Sequence, residues 1–177
     1  MDDNAGCLQR LRRGVVPSGK REEAVILAID PGPERSGWVL YRPEDDIPVS
    51  SSGTDDNGLI AAKSSSWAVV ACEWIDSYGM AVGRDVFETC YWVGRFAATA
   101  GMCGGDFHRI TRREIKLYLC NTARATDANV RQALIDRFGG SKAKAIGTKK
   151  SPGPLYNVKG HAWAALAVAV TWAGRGQ

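Results

Sequence analysis

Apolar residues follow no period at the start of the chain, and the pattern changes at residue 24. AVILAID (24–30) is a short, unbroken apolar and β-branched run closed by Pro31-Gly32-Pro33, the pattern of a central strand that ends in a turn. GWVLYR (37–42) predicts its hairpin partner, and IPVSSSG (47–53) a third, more polar strand running into an Asp-Asp-Asn-Gly turn at 55–58. WAVVACEW (67–74) is again apolar on both faces, as befits a strand covered by helices on each side. From Gly83 to Ala98, Val86, Cys90, Val93 and Phe96 or Ala97 recur at helical spacing, which predicts a helix packed on the sheet or on a second subunit. DFHRIT (106–111) reads as a fifth strand and RREIKLYLC (112–120) as a short helix. DANVRQALIDRF (127–138) has a start signal in Thr126 or Asp127 and a stop signal in Gly139-Gly140. A basic, Gly- and Pro-rich loop (141–157) then leads to an apolar helix from Val158 to Trp172. Three hairpin-like strands followed by alternating strand and helix predict an α/β fold: a mixed five-stranded sheet with helices on both faces.

Composition adds boundaries to this picture. With 177 residues, 45% of them hydrophobic, the chain suits one compact domain with a real core. Residues 1–22, which mix charge, Gly and Pro, read as a flexible basic N-terminal tail, and 23–177 as the folded domain. The five cysteines are widely spaced and form no CxxC pair, and the chain has 2 histidines, so the cysteines are expected to be reduced thiols. No stretch approaches the roughly 18 to 20 apolar residues of a membrane span, and no apolar segment follows the N-terminal basic residues. A cytoplasmic location is the expectation.

Charge matters through its distribution. The formal net charge is a modest +4, but residues 109–150 carry 11 Lys or Arg against 3 Asp or Glu, while residues 1–108 carry 10 against 16. A polyanion bound on one face and an ordinary solvated basic surface both fit this split. Arg112, Arg113 and Lys116 fall on one predicted helix. Arg124 and Arg131 bracket the start of the next, and Lys142, Lys144, Lys149 and Lys150 lie in the loop before the last. If they bind DNA, they meet its phosphates. Tyr118 and Tyr156, close to them, could stack on an unpaired base or pack into the core.

Three residues are candidates for chemistry. Asp30 stands where the first strand stops, so its side chain should project from the sheet end, the place where α/β sites form. Glu73 ends the fourth strand after a mostly apolar run, and a carboxylate there is costly to bury unless a cation meets it. If the two strands are neighbours, both acids reach one divalent ion, and hard oxygen donors favour Mg²⁺ or Mn²⁺. His161 sits at the start of the last apolar helix, where its ring could bind metal, accept a proton, or simply pack. Asp76 reads as a loop residue and Asp127 as a helix cap.

ILAIDPGPERSGWVLY (26–41), VVACE (69–73) and GHAWAALAVAVTW (160–172) together resemble the RuvC-type Holliday junction resolvases of the ribonuclease H-like superfamily. YGMAVGRDVFETCYWVGRF (78–96) and the run from ITRREIKLYLC through NVRQALIDRFGG are similar to the branch carried by phages and prophages. The resemblance implies a ribonuclease H-like domain with Asp30, Glu73 and His161 as catalytic metal ligands and Mg²⁺ as cofactor. It also implies a homodimer acting as a structure-selective endonuclease on four-way DNA junctions and other branched DNA. Where the family has a further aspartate one helical turn on, this chain has Ala164. That departure motivates an alternative, a branched-DNA-binding protein with weak or lost cleavage. A sugar-kinase or actin-like ATPase lobe, which also opens on an aspartate-glycine hairpin, fits less well, because the chain is short for two lobes and lacks a second Gly-rich phosphate loop.

Overall fold

Along β1 (Ile26–Asp30) successive side chains leave opposite faces of the sheet, yet Ile26, Leu27, Ala28 and Ile29 are all fully buried. Both faces are therefore covered. The computed structural model describes residues 25–45, 48–76, 79 and 81–175; the tail read at 1–22 lies outside them. β1 lies at the centre of a mixed sheet with β2 (Arg35–Tyr41), β3 (Val49–Asp56), β4 (Val69–Trp74) and β5 (Asp106–Thr111), in the order β3-β2-β1-β4-β5. The hairpin strands β1, β2 and β3 pair antiparallel, while β4 runs parallel to β1 and β5 parallel to β4. The expected mixed five-stranded sheet with helices on both faces is what forms.

The helices are α1 (Asn57–Ser64), α2 (Arg84–Met102), α3 (Arg112–Cys120), α4 (Asp127–Gly139), α5 (Lys142–Ala145) and α6 (Ala162–Gly174). On one face Ile26, Ala28, Val39, Ala71 and Ile110 pack with α6 and with residues of α3 and α4. On the other, Leu27, Ile29, Trp38, Val70 and Cys72 pack with Ile60 of α1 and with Val93 and Phe96 of α2. α6 is apolar all round because it lies between the sheet and α3 and α4.

Several boundaries differ from expectation. The Asp-Asp-Asn-Gly segment opens α1 instead of making a plain turn: Asp56 caps the helix by accepting a hydrogen bond from Gly58 N–H at 2.8 Å. Residues that favour turns also favour N-caps, and sequence pattern alone does not separate the two roles. α6 begins at Ala162, four residues after the expected start, because Gly160 adopts φ +52°, a left-handed conformation that breaks a helix. Within the expected loop 141–157, Ser141 caps the short α5. Cys72, Cys90 and Cys120 are free thiols as expected, but Cys103 is disulfide-bonded, against the expectation of a reduced thiol. Among the described residues no helix is long and apolar enough to cross a membrane.

Candidate active site

The exit from β1 is held by buried polar groups. Gly32 N–H donates to Ser36 Oγ at 3.3 Å, Ser36 Oγ donates to Asn57 Oδ1 at 2.6 Å, and Asn57 Nδ2 donates to the Gly32 carbonyl at 2.9 Å. Ser36 and Asn57 are fully buried, so this triangle fixes the turn after Asp30 from two other elements. Parallel pairing sets Ile29 of β1 beside Cys72 of β4, so the following residues, Asp30 and Glu73, leave the sheet at the same end. The Asp30 side chain retains 20% exposure, and Glu73 is buried more deeply.

His161 reaches this end from the other side of the chain. Its backbone lies against Gly37, the cross-strand partner of Asp30. A Cβ at Gly37 would come within 2.6 Å of the His161 carbonyl oxygen, so only glycine permits this approach. His161 is the N-cap residue of α6, makes no capping bond, and sets Nδ1 3.5 Å from Asp30 Oδ2 with its side chain 75% exposed. The three residues read from the sequence as catalytic thus share one sheet end.

Arg112, the first residue of α3, enters the same space. Its Nη1 donates to both carboxylate oxygens of Glu73 at 3.2 Å, and its Nη2 donates to Asp127. Burial pushes the Asp30 carboxyl above its usual range, and the charges of His161 and Arg112 only partly offset this. Burial likewise pushes Glu73 up, against the pull of Arg112 and with a further push from the Asp30 charge. A cleft of two halves opens here. One, of about 580 Å³, is lined by Asp30, Glu73, Asp76, Arg112, Arg113 and Lys116. The other, of about 470 Å³, is lined by Asp30, Arg112, Asp127, Arg131, His161 and Ala164.

Among the described residues, no three His, Cys, Asp or Glu side chains converge closely enough to hold a metal ion as they stand. In this site the Arg112 guanidinium lies on both oxygens of Glu73. The donors themselves, two carboxylates and an imidazole at one rim, fit a divalent cation.

Of the predicted phosphate-binding residues, Arg112, Arg113, Lys116 and Arg131 line the cleft, Arg131 with its guanidinium 4.4 Å from the Trp163 ring centre. Arg124 is exposed in the turn between α3 and α4, Lys142 and Lys144 on α5, and Lys149 and Lys150 in the turn closed by Thr148 and Ser151. None of these five lines either half. Tyr118 packs against Gly174 and accepts a bond from Arg137, and Tyr156 is half-buried. Asp127, read as a cap, is not one: Thr126 makes the capping box with Asn129, which frees the Asp127 carboxylate for Arg112. Ser36, Gly37 and Asn57 escaped the sequence reading because their partners lie far along the chain.

No protein-family model matches the chain, and no curated protein resembles it in sequence. Its fold is nevertheless shared by solved structures. RuvC of T. thermophilus in complex with a Holliday junction substrate superposes with a TM-score of 0.61 at 17% identity, over 84% of this chain and 92% of that one. Another structure of Thermus thermophilus RuvC matches with a TM-score of 0.56 at 18% identity, over 83% and 92%. At such identities the likeness is one of fold, and that fold is the ribonuclease H-like one.

Proposed function

We propose that this chain is a metal-dependent, structure-selective endonuclease that cleaves four-way DNA junctions, and other branched DNA, by phosphodiester hydrolysis. The observation that carries the reading is the arrival of Asp30 and Glu73 at one sheet end, with His161 against Asp30, in a cleft rimmed by Arg and Lys. The shared fold of a RuvC bound to a Holliday junction supports it. A bound Mg²⁺ or Mn²⁺ supplies a water of lowered pKa and offsets charge on the leaving oxygen. Asp30 and Glu73 provide its carboxylate ligands from fixed strand ends. The exposed His161 ring can complete that set or take the proton of the attacking water. Arg113, Lys116 and Arg131 neutralise phosphates along the cleft, so affinity should fall with salt. Arg124, Lys142, Lys144, Lys149 and Lys150 extend that contact to DNA arms outside the cleft.

Paired cuts require two sites. Phe87 and Tyr91, one turn apart on α2, leave large apolar side chains exposed, and we assign this face to a second copy of the chain in a two-fold homodimer. Action in the cytoplasm of a bacterial or phage-infected cell accords with this substrate.

The test is cleavage of an immobile four-way junction against a linear duplex of the same sequence, with Mg²⁺, Mn²⁺ or EDTA. The junction should be cut only with metal, and Asp30→Asn should abolish cutting while leaving junction binding intact or tighter. Cutting by Asp30→Asn at the wild-type rate would remove the proposed site. Ala164 and the occupation of Glu73 by Arg112 favour a second reading, a junction-binding protein with weak or lost cleavage. Tight junction binding with no metal-dependent cutting at all would establish that one.

A further inference from the structure

Arg112 differs from the other basic residues of the cleft. With Asp30, it alone lines both halves. Its guanidinium is also already occupied, by both oxygens of Glu73 through Nη1 and by Asp127 through Nη2. The two carboxylates it joins are unequal. The side chain of Glu73 is 12% exposed and that of Asp127 is 76% exposed. A buried carboxylate needs a cation far more than a solvated one does, so Glu73 is the partner that draws Arg112 inward and Asp127 is an anchor at the rim. Nη1 lies on the two Glu73 oxygens that a metal ion would need. A guanidinium and a divalent ion on the same carboxylate, at such spacing, repel each other strongly in a half-buried site.

We propose that Arg112 is a resident counter-ion of the acidic site. It occupies Glu73 in the metal-free protein, and binding of a divalent ion turns its guanidinium off Glu73, about the Asp127 contact, toward the open cleft. The inference deepens the nuclease reading and rests on it. Once displaced, Arg112 has donors free for a phosphate on the rim where the DNA would lie. Metal and DNA then favour each other's binding: the ion releases the arginine, and the phosphate gives it a new partner. By reciprocity, DNA must tighten metal binding by the same factor as metal tightens DNA binding. The free protein would hold little metal, and the site would fill chiefly on substrate. Asp127 acts here as a positioning residue, since it touches neither metal nor phosphate but sets the pivot.

The experiment follows the Arg side-chain Nε–Hε signals and the backbone amides of the ¹⁵N-labelled wild-type protein by NMR through a Mg²⁺ titration without DNA, with Arg112 assigned by its loss in Arg112→Lys. The Arg112 signal should move in step with the amides of Asp30 and Glu73. In Arg112→Met the Mg²⁺ midpoint of those amides should fall about tenfold, the equivalent of one charge-assisted hydrogen bond, while Arg113→Met should leave it nearly unchanged. If the amides respond and the Arg112 signal stays still, the counter-ion role is overturned and the metal site stands. An equal shift in Arg112→Met and Arg113→Met also overturns it, because that is what general loss of positive charge would do. If the amides respond in neither wild type nor Arg112→Met, the metal-site reading falls and takes this one with it.

Discussion

Ala164 lines the half of the cleft that holds Asp30, Asp127 and His161, and its side chain ends at a methyl where a carboxylate would reach the acidic site. It lies three residues after His161 on the same helix, and positions so spaced share a face. Ala164→Asp should therefore lower the Mg²⁺ needed for half-maximal cleavage by about tenfold, within the range that ligand-shell changes produce. In EDTA the same variant should melt at a lower temperature, since it adds a further negative charge to the acidic cleft, and Mg²⁺ should restore the loss. A folded variant with an unchanged Mg²⁺ midpoint would show that position 164 does not address the metal. At this scale the two acids were legible because each ends an apolar run, where only chemistry or an unusual partner accounts for a carboxylate. Ser36 and Asn57 were not legible. Their bond joins residues 21 apart, and nothing local to either marks it.

The start of α6 depends on an element far from it in sequence. Because Gly37 of β2 leaves room for the His161 backbone, His161 is seated by a missing side chain on the strand opposite Asp30. Gly37→Ala inserts a methyl into that contact. We expect a stability loss of about 1–3 kcal/mol, the usual cost of overpacking, and a fall in cleavage larger than the lost folded fraction explains, because His161 is pushed from Asp30. Chemical denaturation and single-turnover cutting, measured well below the melting temperature, read the two effects separately. Full activity in the folded variant would show that His161 does not need this seat. Elements with a strong local signal, such as the unbroken apolar runs of β1 and β4 and the start and stop residues of α4, were legible in the sequence. α1 was not, because it is short and begins with residues that serve a turn equally well. The start of α6 was misplaced because Val158 continues the apolar pattern by packing into the core from a loop.

Over the whole molecule, the fold class was legible in the alternation of strands and helices, whereas the convergence of Asp30, Glu73, Arg112 and Asp127 requires the strand order. That convergence has an acid-base consequence. Burial pushes Asp30 and Glu73 above ordinary values of 3.8 and 4.5, so the folded state retains protons that the unfolded chain has released. Their effect is to weaken the metal-free fold as pH rises through the raised values, and acidification from neutral reverses it. Glu114 works oppositely. Although burial opposes it, hydrogen bonds from Thr111 and the Arg175 pair hold its carboxyl below 4.5, so its contribution is lost only at lower pH. In EDTA, as the pH is lowered from neutral toward those raised values, the melting temperature of the wild type should therefore rise relative to an Asp30→Asn, Glu73→Gln double variant. Parallel curves would mean that the two carboxyls carry no such cost. A different consequence follows from α6, which covers β1, β2 and β4 yet is synthesised after all five strands. On the ribosome the sheet keeps one apolar face open until that helix emerges, and the long-range contacts that close it are slow to form. A nascent or prematurely ended chain thus carries both acids without His161 and with one face of the sheet uncovered, and it would be aggregation-prone.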